Sequence, residues 1–471
     1  MDDTPMTSRA LCPVLVALAW ALAGCTGEPD SDSTFGGGGA GGAGAADVLD
    51  LLRAVPGVTA AEEGEWEGEP GGRFFMVDFE QPADHDAPGG QVFQQRIWLH
   101  HRGFQAPVVL ASTGYGLRKP REREPTLLVN GNQLEVEHRF FTPSRPEPAD
   151  WHHLRIRQAA ADHHRIVEAF REVYSGKWIS TGASKGGMTS VYHRRFYPED
   201  VEGTIAYVAP QSYGDSDPRY VEFLEQVGTP ECRDALMAFQ GEVLSRRPFM
   251  TAAMTTEPEG STYEQMGVDG ALDFAVIELP FAFWQYQDPS LCDAIPGPGA
   301  TDEAVWDFLQ VVDAPSFWSD EWFFIYEPYY YQAAVELGYP AYDDSHLAGV
   351  LTVPVGADVA SALVAPGPTK EMALDESAMV DVAEWLASDG TRMLFVYGSN
   401  DPYSAGAFEL GGATESARFF APGQNHGASI ADLASPDQAA ALELVSAWAG
   451  VAPMPPPSPE QVARMREPRA R

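Results

Sequence analysis

The chain has 471 residues, of which 44% are hydrophobic and 21% charged, a composition typical of a globular protein rather than a disordered one. Its 68 acidic residues outnumber its 30 basic residues, so the formal net charge is −38. Such a surface repels phosphate backbones and anionic lipid headgroups, which excludes a nucleic-acid-binding role, and no apolar run reaches the roughly 20 residues that a membrane-spanning helix needs.

The first 47 residues carry the pattern of an export signal followed by a tether. Residues 11–23 are mostly apolar, and Leu-Ala-Gly-Cys ending at Cys25 resembles the bacterial lipobox, in which the cysteine is lipidated. We therefore expect residues 1–24 to be a lipoprotein-type signal peptide, with an ordinary secretory signal as the alternative. Residues 25–47 are rich in Gly and Ala and predict a flexible tether. The expected location is a bacterial cell membrane, facing the periplasm or the outside, with Cys25 as the only membrane contact; free secretion is the alternative.

The expected export also determines which cysteines can form a disulfide. The chain has four cysteines, Cys12, Cys25, Cys232 and Cys292. Cys12 is removed with the signal peptide and Cys25 carries the lipid, so two cysteines remain in the folded part. An even pair in an oxidising compartment predicts a disulfide between Cys232 and Cys292. Two buried free thiols are the alternative, and in either case the pair is structural.

The first part of the folded chain, residues 48–211, predicts strands that come first and then alternate with helices. Strand–helix alternation at this spacing favours an α/β sheet that is largely parallel after the first strands. Strands are indicated at residues 74–79, 91–100, 107–112, 134–141, 177–181 and 201–209, and helices from Asp150 to about 174 and from 185 to about 197.

Residues 212–388 interrupt this alternation and predict a mostly helical insertion that caps the sheet. The insertion contains both Cys232 and Cys292, and the pattern of its last residues predicts a helix near 380–387. The core resumes in residues 389–452, and the proline-rich tail 453–471 is expected to be disordered. Strands are indicated at 393–397 and 417–420 and a helix at 436–449, while the insertion is dense in aromatic side chains such as Phe281, Phe283, Trp284, Trp322, Tyr329 and Tyr330.

Ser184 lies in the pattern Gly-x-Ser-x-Gly, flanked by Gly182 and Gly186, between a predicted strand and a predicted helix. A nucleophilic serine on a sharp strand-to-helix turn needs small residues two before and two after it, because larger neighbours would collide. The pattern by itself is only suggestive. The strand and the helix around it favour a nucleophile over an incidental serine in a glycine-rich turn.

A nucleophilic serine needs a base and an acid, which follow it in the order Asp or Glu, then His, in α/β-hydrolases. Beyond the insertion a single histidine remains, His426, just after the last predicted strand, and Asp401 follows the strand before it. All three side chains are then expected at the carboxyl edge of the sheet. The oxyanion donors would be the Lys185 backbone N–H and one from the turn that holds Tyr115 and Gly116.

The other charged and imidazole groups suggest no further chemistry. The Lys185 side chain is interpreted as surface charge rather than as a catalyst. The histidine pairs at 100–101, 152–153 and 163–164 lack metal-ligand spacing, so neither a metal nor a cofactor is expected.

Four short stretches, in order over essentially the whole mature chain, carry a family resemblance: Val-Glu-His-Arg-Phe-Phe at 136–141, Gly-Ala-Ser-Lys-Gly-Gly-Met-Thr at 182–189, Asn-Asp-Pro at 400–402 and Asn-His-Gly at 425–427. Together they resemble serine peptidase family 37, the secreted bacterial prolyl tri- and tetrapeptidyl aminopeptidases. The first stretch also resembles, more distantly, the lysosomal-type prolyl carboxypeptidase group.

This resemblance implies an α/β-hydrolase fold, a mostly parallel central sheet flanked by helices, with a large and mostly helical cap insertion. It also implies that Ser184 is the nucleophile, His426 the base and Asp401 the orienting acid. The sequence departs from the family pattern at Ala183, where we would expect Gly, and in having a lipobox.

The favoured hypothesis is an exopeptidase that releases short peptides from free N-termini, with Pro or another small apolar residue before the scissile bond. The substrate ammonium then has to meet a carboxylate in a site covered by the cap. Glu137 is the first candidate and Glu278 the second, while Trp284 is expected to line the same pocket. An acidic protein also favours an N-terminal ammonium over a C-terminal carboxylate as the end that enters.

Two other functions remain open. A carboxylesterase or lipase would use the same triad with the aromatic cap as an acyl pocket, and a lipid-anchored binding protein with a decayed site would show no turnover. Peptide substrates are the only partners indicated, with no nucleic acid and no obligate protein partner.

Overall fold

A nine-stranded sheet forms the centre of the computed structural model, which describes residues 47–66, 72–256 and 261–465. The predicted signal peptide, Cys25, nearly all of the tether and the last six residues of the tail lie outside the described residues. The strands are β1 (Val58–Gly64), β2 (Arg73–Pro82), β3 (Val92–His101), β4 (Val108–Ser112), β5 (Asn132–Val136), β6 (Trp178–Ala183), β7 (Thr204–Tyr207), β8 (Met393–Gly398) and β9 (Ala417–Ala421).

The strand order, β1-β2-β3-β5-β4-β6-β7-β8-β9, combines an antiparallel start with a parallel centre. The pairs from β1 to β5 along this order are antiparallel, and every pair from β5 to β9 is parallel. Every residue of β4, β5, β7 and β8 is buried, as expected where helices cover both faces of a parallel sheet. The predicted α/β-hydrolase fold is confirmed.

Helices cover the two faces of the sheet and also form much of the segment between β7 and β8. The helices are α1 (Val48–Arg53), α2 (Glu124–Val129), α3 (Ile156–Phe170), α4 (Lys185–Phe196), α5 (Arg219–Leu224), α6 (Pro230–Ser245), α7 (Arg247–Thr256), α8 (Gly267–Tyr286), α9 (Asp302–Asp313), α10 (Asp320–Gln332), α11 (Val359–Ala362), α12 (Ser377–Asp389), α13 (Ser435–Ala449) and α14 (Pro459–Met465). Within the described residues, no helix combines the length and apolar character needed to cross a bilayer.

The alternation of side chains along the strands divides the core between the two faces. Leu394 and Val396 of β8 pack with α2 and α13, whereas Phe395 and Tyr397 pack with α3, α4 and α12. Successive residues of a strand point to opposite faces, so one strand contributes to both cores. The carboxyl ends of β4, β6, β8 and β9 are left at one edge, where the candidate catalytic residues follow them.

The segment between β7 and β8 is mostly helical, from α5 to α12, with loops between the helices. Its own core is apolar and aromatic, with Leu272, Phe283 and Leu309 fully buried. The expected disulfide is present: Cys232 of α6 is bonded to Cys292 in a 3₁₀ turn, with their Cα atoms 5.3 Å apart. The bounds 212 and 388 for a separate cap stay a prediction.

Three local expectations are wrong. The strand expected at 134–141 ends at Val136, because His138 and Arg139 turn inward to bond Tyr192 and Asp162. Asp150 caps only a 3₁₀ turn, and α3 begins separately at Ile156. Within the tail expected to be disordered from residue 453, residues 459–465 form α14, in which Val462 is buried.

Candidate active site

Ser184 occupies a strained turn between the end of β6 and the start of α4. Its backbone lies in the left-handed region, with φ 54° and ψ −126°, which a non-glycine residue adopts at a cost. A Cβ on Gly182 would lie 2.1 Å from the carbonyl oxygen of Gly186, and one on Gly186 would lie 2.2 Å from that of Ser112. Both glycines are therefore required by close backbone approach, as the Gly-x-Ser-x-Gly pattern predicts.

Asp401 and His426 meet at the same edge of the sheet. The His426 Nδ1 lies 2.7 Å from Asp401 Oδ2, and Asp401 is fully buried. The Tyr403 N–H donates to the other carboxylate oxygen at 3.1 Å, which fixes its orientation. This arrangement holds the imidazole with Nδ1 toward the carboxylate and leaves Nε2 as the atom that can accept a proton.

The cap helps to place the histidine. The backbone N–H of His426 donates to the carbonyl of Gln285 at 3.1 Å, and the Asn425 amide donates to the carbonyl of Gln287 at 3.4 Å. Both carbonyls lie at the carboxyl end of α8. The loop that carries His426 is therefore bonded to a cap helix as well as to the sheet.

Ser184 and His426 line one cavity of about 550 Å³ between the sheet edge and the cap helices. Within the described chain His426 Nε2 is buried and has no hydrogen-bond partner, so no bond to Ser184 is formed in this state. Hydrogen bonds of catalytic groups are often long in free enzymes and shorten when substrate binds. The aromatic residues of the lining are Tyr115, Tyr207, Tyr286, Phe317, Trp318, Trp322, Tyr326, Tyr329, Tyr330, Tyr339 and Tyr403.

Glu278 brings a carboxylate into this cavity from α8. Burial and then the negative charge of Glu278 raise the pKa of the Tyr330 and Tyr342 phenols, which shows how close they are to it. Asp313, at the end of α9, and Glu124, at the start of α2, are the other acidic residues of the lining. One of the two predicted ammonium-binding residues thus lines the same cavity as the serine and the histidine.

Glu137, the first candidate for that role, is not among the described residues that line the cavity. One carboxylate oxygen accepts the Leu117 N–H at 2.9 Å, and the other accepts the N–H and the hydroxyl of Ser144 at 3.1 and 2.5 Å. These hydrogen bonds to the Glu137 carboxylate stabilise the turn that carries Gly116. The structure does not place it where a substrate ammonium could bind.

Trp284 also lies away from the cavity. Its side chain is 1% exposed and packs at the edge of the Phe283 ring and against Gly228, inside the core of the cap helices. Trp284 therefore does not line the cavity as expected, because this face of α8 points into the core of the cap helices.

The interpretation of the Lys185 side chain as surface charge is wrong. Its side chain is 1% exposed, with Nζ 5.9 Å from the Tyr115 ring and 5.8 Å from the Phe141 ring. Burial lowers the pKa of this ammonium well below its usual value. Its backbone N–H lies in the first turn of α4, where the helix supplies no acceptor.

The turn after β4 is expected to supply one backbone donor, with Tyr115 and Gly116 as the candidates. The Tyr115 N–H donates to Thr113 Oγ1 at 3.2 Å, so it is already used. The Gly116 N–H has no acceptor in the described part of the chain and stays available, together with that of Lys185. Two N–H groups beside a serine can stabilise an oxyanion, the charge that acyl transfer develops.

Sequence reasoning missed several residues of the lining. Arg118 stacks over the Trp322 and Tyr326 rings at 5.4 and 5.3 Å, and burial lowers the pKa of Arg121 to about 9. Val462 of α14 also lines the cavity. None of them stands in a recognisable motif, because cavity walls are assembled from distant segments.

Among the described residues, no group of three or more His, Cys, Asp or Glu side chains is placed to hold a metal ion. The functional groups of the site are a serine hydroxyl, an imidazole and backbone N–H groups. These are the groups that acyl transfer through a serine nucleophile requires.

Comparisons with known proteins agree with this chemistry. The chain is 40% identical over 418 residues to the prolyl tri/tetrapeptidyl aminopeptidase of Streptomyces mobaraensis, covering 87% of this chain and 86% of that protein. It is 29% identical over 112 residues to a putative serine protease of Caenorhabditis elegans, covering 22% of this chain and 21% of that one.

Among solved structures, VinJ aligns with a TM-score of 0.35 at 11% identity, covering 83% of this chain and 99% of that one. The proline iminopeptidase of Mycobacterium smegmatis aligns with a TM-score of 0.33 at 12% identity, covering 79% and 98%. The family model described as PS-10 peptidase S37 matches residues 42–465. A match over nearly the whole described chain, together with the 40% identical relative, shows that this enzyme belongs to the PS-10 peptidase S37 family.

Proposed function

We propose that the protein is a serine exopeptidase that releases tri- or tetrapeptides from free N-termini, with Pro or a small apolar residue before the scissile bond. The observation that carries the proposal is a single cavity, covered by cap helices, that holds Ser184, His426 and the carboxylate of Glu278. The name of the 40% identical relative supports the same substrate class.

In the proposed mechanism the Ser184 oxygen attacks the carbonyl carbon while its proton passes to His426 Nε2. Asp401, bonded to Nδ1 at 2.7 Å, stabilises the imidazolium that forms. The tetrahedral intermediate then collapses, and the imidazolium protonates the leaving amine, which departs as the shortened peptide. Water, activated by the same imidazole, hydrolyses the acyl-enzyme and releases the short N-terminal peptide.

Glu278 is the proposed partner of the substrate ammonium. A carboxylate in a partly dry cavity interacts with a cation much more strongly than it would in bulk water. Tyrosine side chains around it supply further ring faces and hydroxyls that favour an ammonium group. An acetylated N-terminus has no charge and cannot form this ion pair with Glu278, so acetylated peptides should be poor substrates.

The deciding experiment compares a tripeptide p-nitroanilide ending in Pro with its N-acetylated form and with a p-nitrophenyl ester. We expect turnover of the free peptide to exceed that of the acetylated one at least tenfold. Glu278→Gln should raise KM for the free peptide alone, while Glu303→Gln, an exposed carboxylate on α9, serves as the matched control. Equal rates on both peptides, or hydrolysis of the ester alone, would support a carboxylesterase instead.

The length of the released product is tested by mass spectrometry of a 20-residue peptide. Tri- or tetrapeptides from the N-terminus should appear first, and folded proteins should stay intact because the cap covers the site. Internal fragments appearing first would contradict the exopeptidase proposal and leave a general serine hydrolase.

We also propose that Cys25 anchors the enzyme to a bacterial membrane. Support comes from the sequence around Cys25, which resembles a lipobox. Metabolic labelling with a fatty acid should mark the wild-type protein and not Cys25→Ser. An unlabelled protein released to the medium would favour free secretion.

A further inference from the structure

Tyr115 contributes its side chain, rather than its backbone, to the active site. Its backbone is occupied elsewhere, since the N–H donates to Thr113 Oγ1 at 3.2 Å and the carbonyl accepts the His138 N–H at 3.0 Å. The Ser184 hydroxyl is close enough to the Tyr115 phenol to influence its pKa, and both residues line the same cavity. The phenol therefore lies near the proposed nucleophile.

The Tyr115 ring is held in that position from several sides. Its centroid lies 5.7 Å from the centroids of the Phe141, Tyr326 and Tyr329 rings, with the first two contacts edge to face. The buried Nζ of Lys185 lies 5.9 Å from the same centroid. Rings packed in this way pre-orient the hydroxyl before substrate arrives.

We propose that the Tyr115 hydroxyl is a third oxyanion donor, acting with the backbone N–H groups of Lys185 and Gly116. The proposal rests on the nucleophilic role of Ser184 proposed above. When the Ser184 oxygen bonds to the carbonyl carbon, the π bond of the carbonyl group breaks and its electron pair moves to the carbonyl oxygen. That oxyanion and the serine oxygen are attached to the same carbon, so a hydroxyl that reaches one can also reach the other.

The chemistry of the phenol fits a donor and not a base. Burial raises the pKa of Tyr115 well above its usual value, so its proton stays on the oxygen at neutral pH. His426 Nε2, which has no partner in the described structure, remains the base for the serine proton. In the proposed step the phenol donates its proton in a hydrogen bond to the substrate oxygen as charge develops there.

The kinetic test is Tyr115→Phe, which keeps the ring and removes the hydroxyl. We expect kcat on the tripeptide anilide and on a p-nitrophenyl ester to fall about 100-fold, with KM changed less than threefold, because the interaction forms only as charge develops. Tyr174→Phe is the matched control, since it also removes a buried hydroxyl, bonded to His101 Nδ1 at 3.1 Å. A rise in KM alone would overturn the proposal, as would a lower unfolding temperature with normal kcat in the folded fraction.

A second measurement avoids substitution. Wild-type enzyme is inactivated with a small fluorophosphonate, which reacts with serine hydrolases irrespective of peptide specificity, and the structure of the adduct is solved. A Tyr115 hydroxyl within about 3.2 Å of the phosphonyl oxygen supports the third donor. An adduct on Ser184 with that hydroxyl turned away overturns it, whereas no adduct on Ser184 overturns the proposed function.

Discussion

Ser184 supplies the atom on which the proposed chemistry depends. Ser184→Ala removes only that oxygen from a half-buried turn, so the fold should be retained while kcat falls by about 10⁴-fold or more. Ser175→Ala, at an exposed serine outside the cavity, is the matched control and should keep wild-type activity. The measurement is kcat on the tripeptide anilide with the unfolding temperature of each variant; activity within tenfold of wild type would contradict the role of Ser184.

Glu124 shows how burial makes stability depend on pH near the active-site loop. Its carboxylate accepts the N–H groups of Ile430 and Ala431 at 2.8 and 2.9 Å, just beyond His426, and burial raises its pKa from 4.5 to about 7. The folded state holds this proton more tightly than the unfolded chain. The contribution of Glu124 to the free energy of unfolding is therefore complete below pH 4.5 and is lost as the pH rises toward 7.

Glu124→Gln removes this titration because the amide stays neutral. Relative to the variant, wild type should lose stability as the pH rises from 4.5 to 7, with a slope of at most about 1.4 kcal/mol per pH unit. Urea unfolding of both proteins at pH 5, 6, 7 and 8 measures the difference. Parallel pH profiles would show that Glu124 titrates at its ordinary value.

At the scale of elements, a buried ion pair joins the segment after β5 to α3. Arg139 bonds both oxygens of Asp162 at 2.7 and 2.8 Å, and both residues are fully buried. Burial alone would raise the pKa of Asp162, but the charge and hydrogen bonds of Arg139 outweigh it and lower the pKa from 3.8 to about 2. This contribution, about 2 kcal/mol, is present above pH 3.8 and is lost as the pH falls toward 2.

Asp162→Asn should lower the free energy of unfolding at pH 7 by about 3–5 kcal/mol, because it leaves the buried Arg139 charge without its opposite charge. Asp381→Asn breaks the exposed pair with Arg195, at 3.0 Å, and should cost less than about 1 kcal/mol. Chemical unfolding at pH 7 measures both. Equal losses would show that the burial of the Arg139 pair has no energetic consequence.

The disulfide acts on two elements of the cap. It closes a loop with a sequence separation of 60 between α6 and a 3₁₀ turn, for which chain entropy predicts about 4 kcal/mol of stabilisation. The double variant Cys232→Ser, Cys292→Ser should therefore unfold at lower temperature. Neither cysteine lines the cavity, so kcat of the folded enzyme should stay at the wild-type value; an unchanged unfolding temperature would contradict the prediction.

In the molecule as a whole, the C-terminal part of the chain contributes to the wall of the active-site cavity. The Met454 N–H donates to the carbonyl of Leu128 at 2.8 Å, and α14 then places Val462 and Met465 in the cavity wall. Removing residues 459–471 should raise KM for the tripeptide anilide severalfold, since it deletes two apolar contacts, and should affect kcat less. The double variant Val462→Ala, Met465→Ala should show the same trend, and an unchanged KM in both would contradict a role for α14.

Patterns in the sequence were enough to predict the fold class, the disulfide and the residues of the candidate triad. These depend on local rules: small residues around Ser184 are demanded by close backbone contacts, and parallel strands deliver their carboxyl ends to one edge. Asp401 and His426, each placed after a strand, therefore had to lie near each other, and the structure holds them at 2.7 Å.

The side chains that surround that edge could not be predicted from the sequence, because they are brought there by tertiary contacts. Glu137 and Glu278 are both acidic residues in apolar stretches, yet one braces a turn and the other faces the cavity. Lys185 is a charged residue that the sequence favours at the surface, yet its side chain is enclosed by Tyr115 and Phe141. Which polar group is buried, and against what, depends on contacts between segments far apart in the chain, and such contacts leave no periodic signal in the sequence.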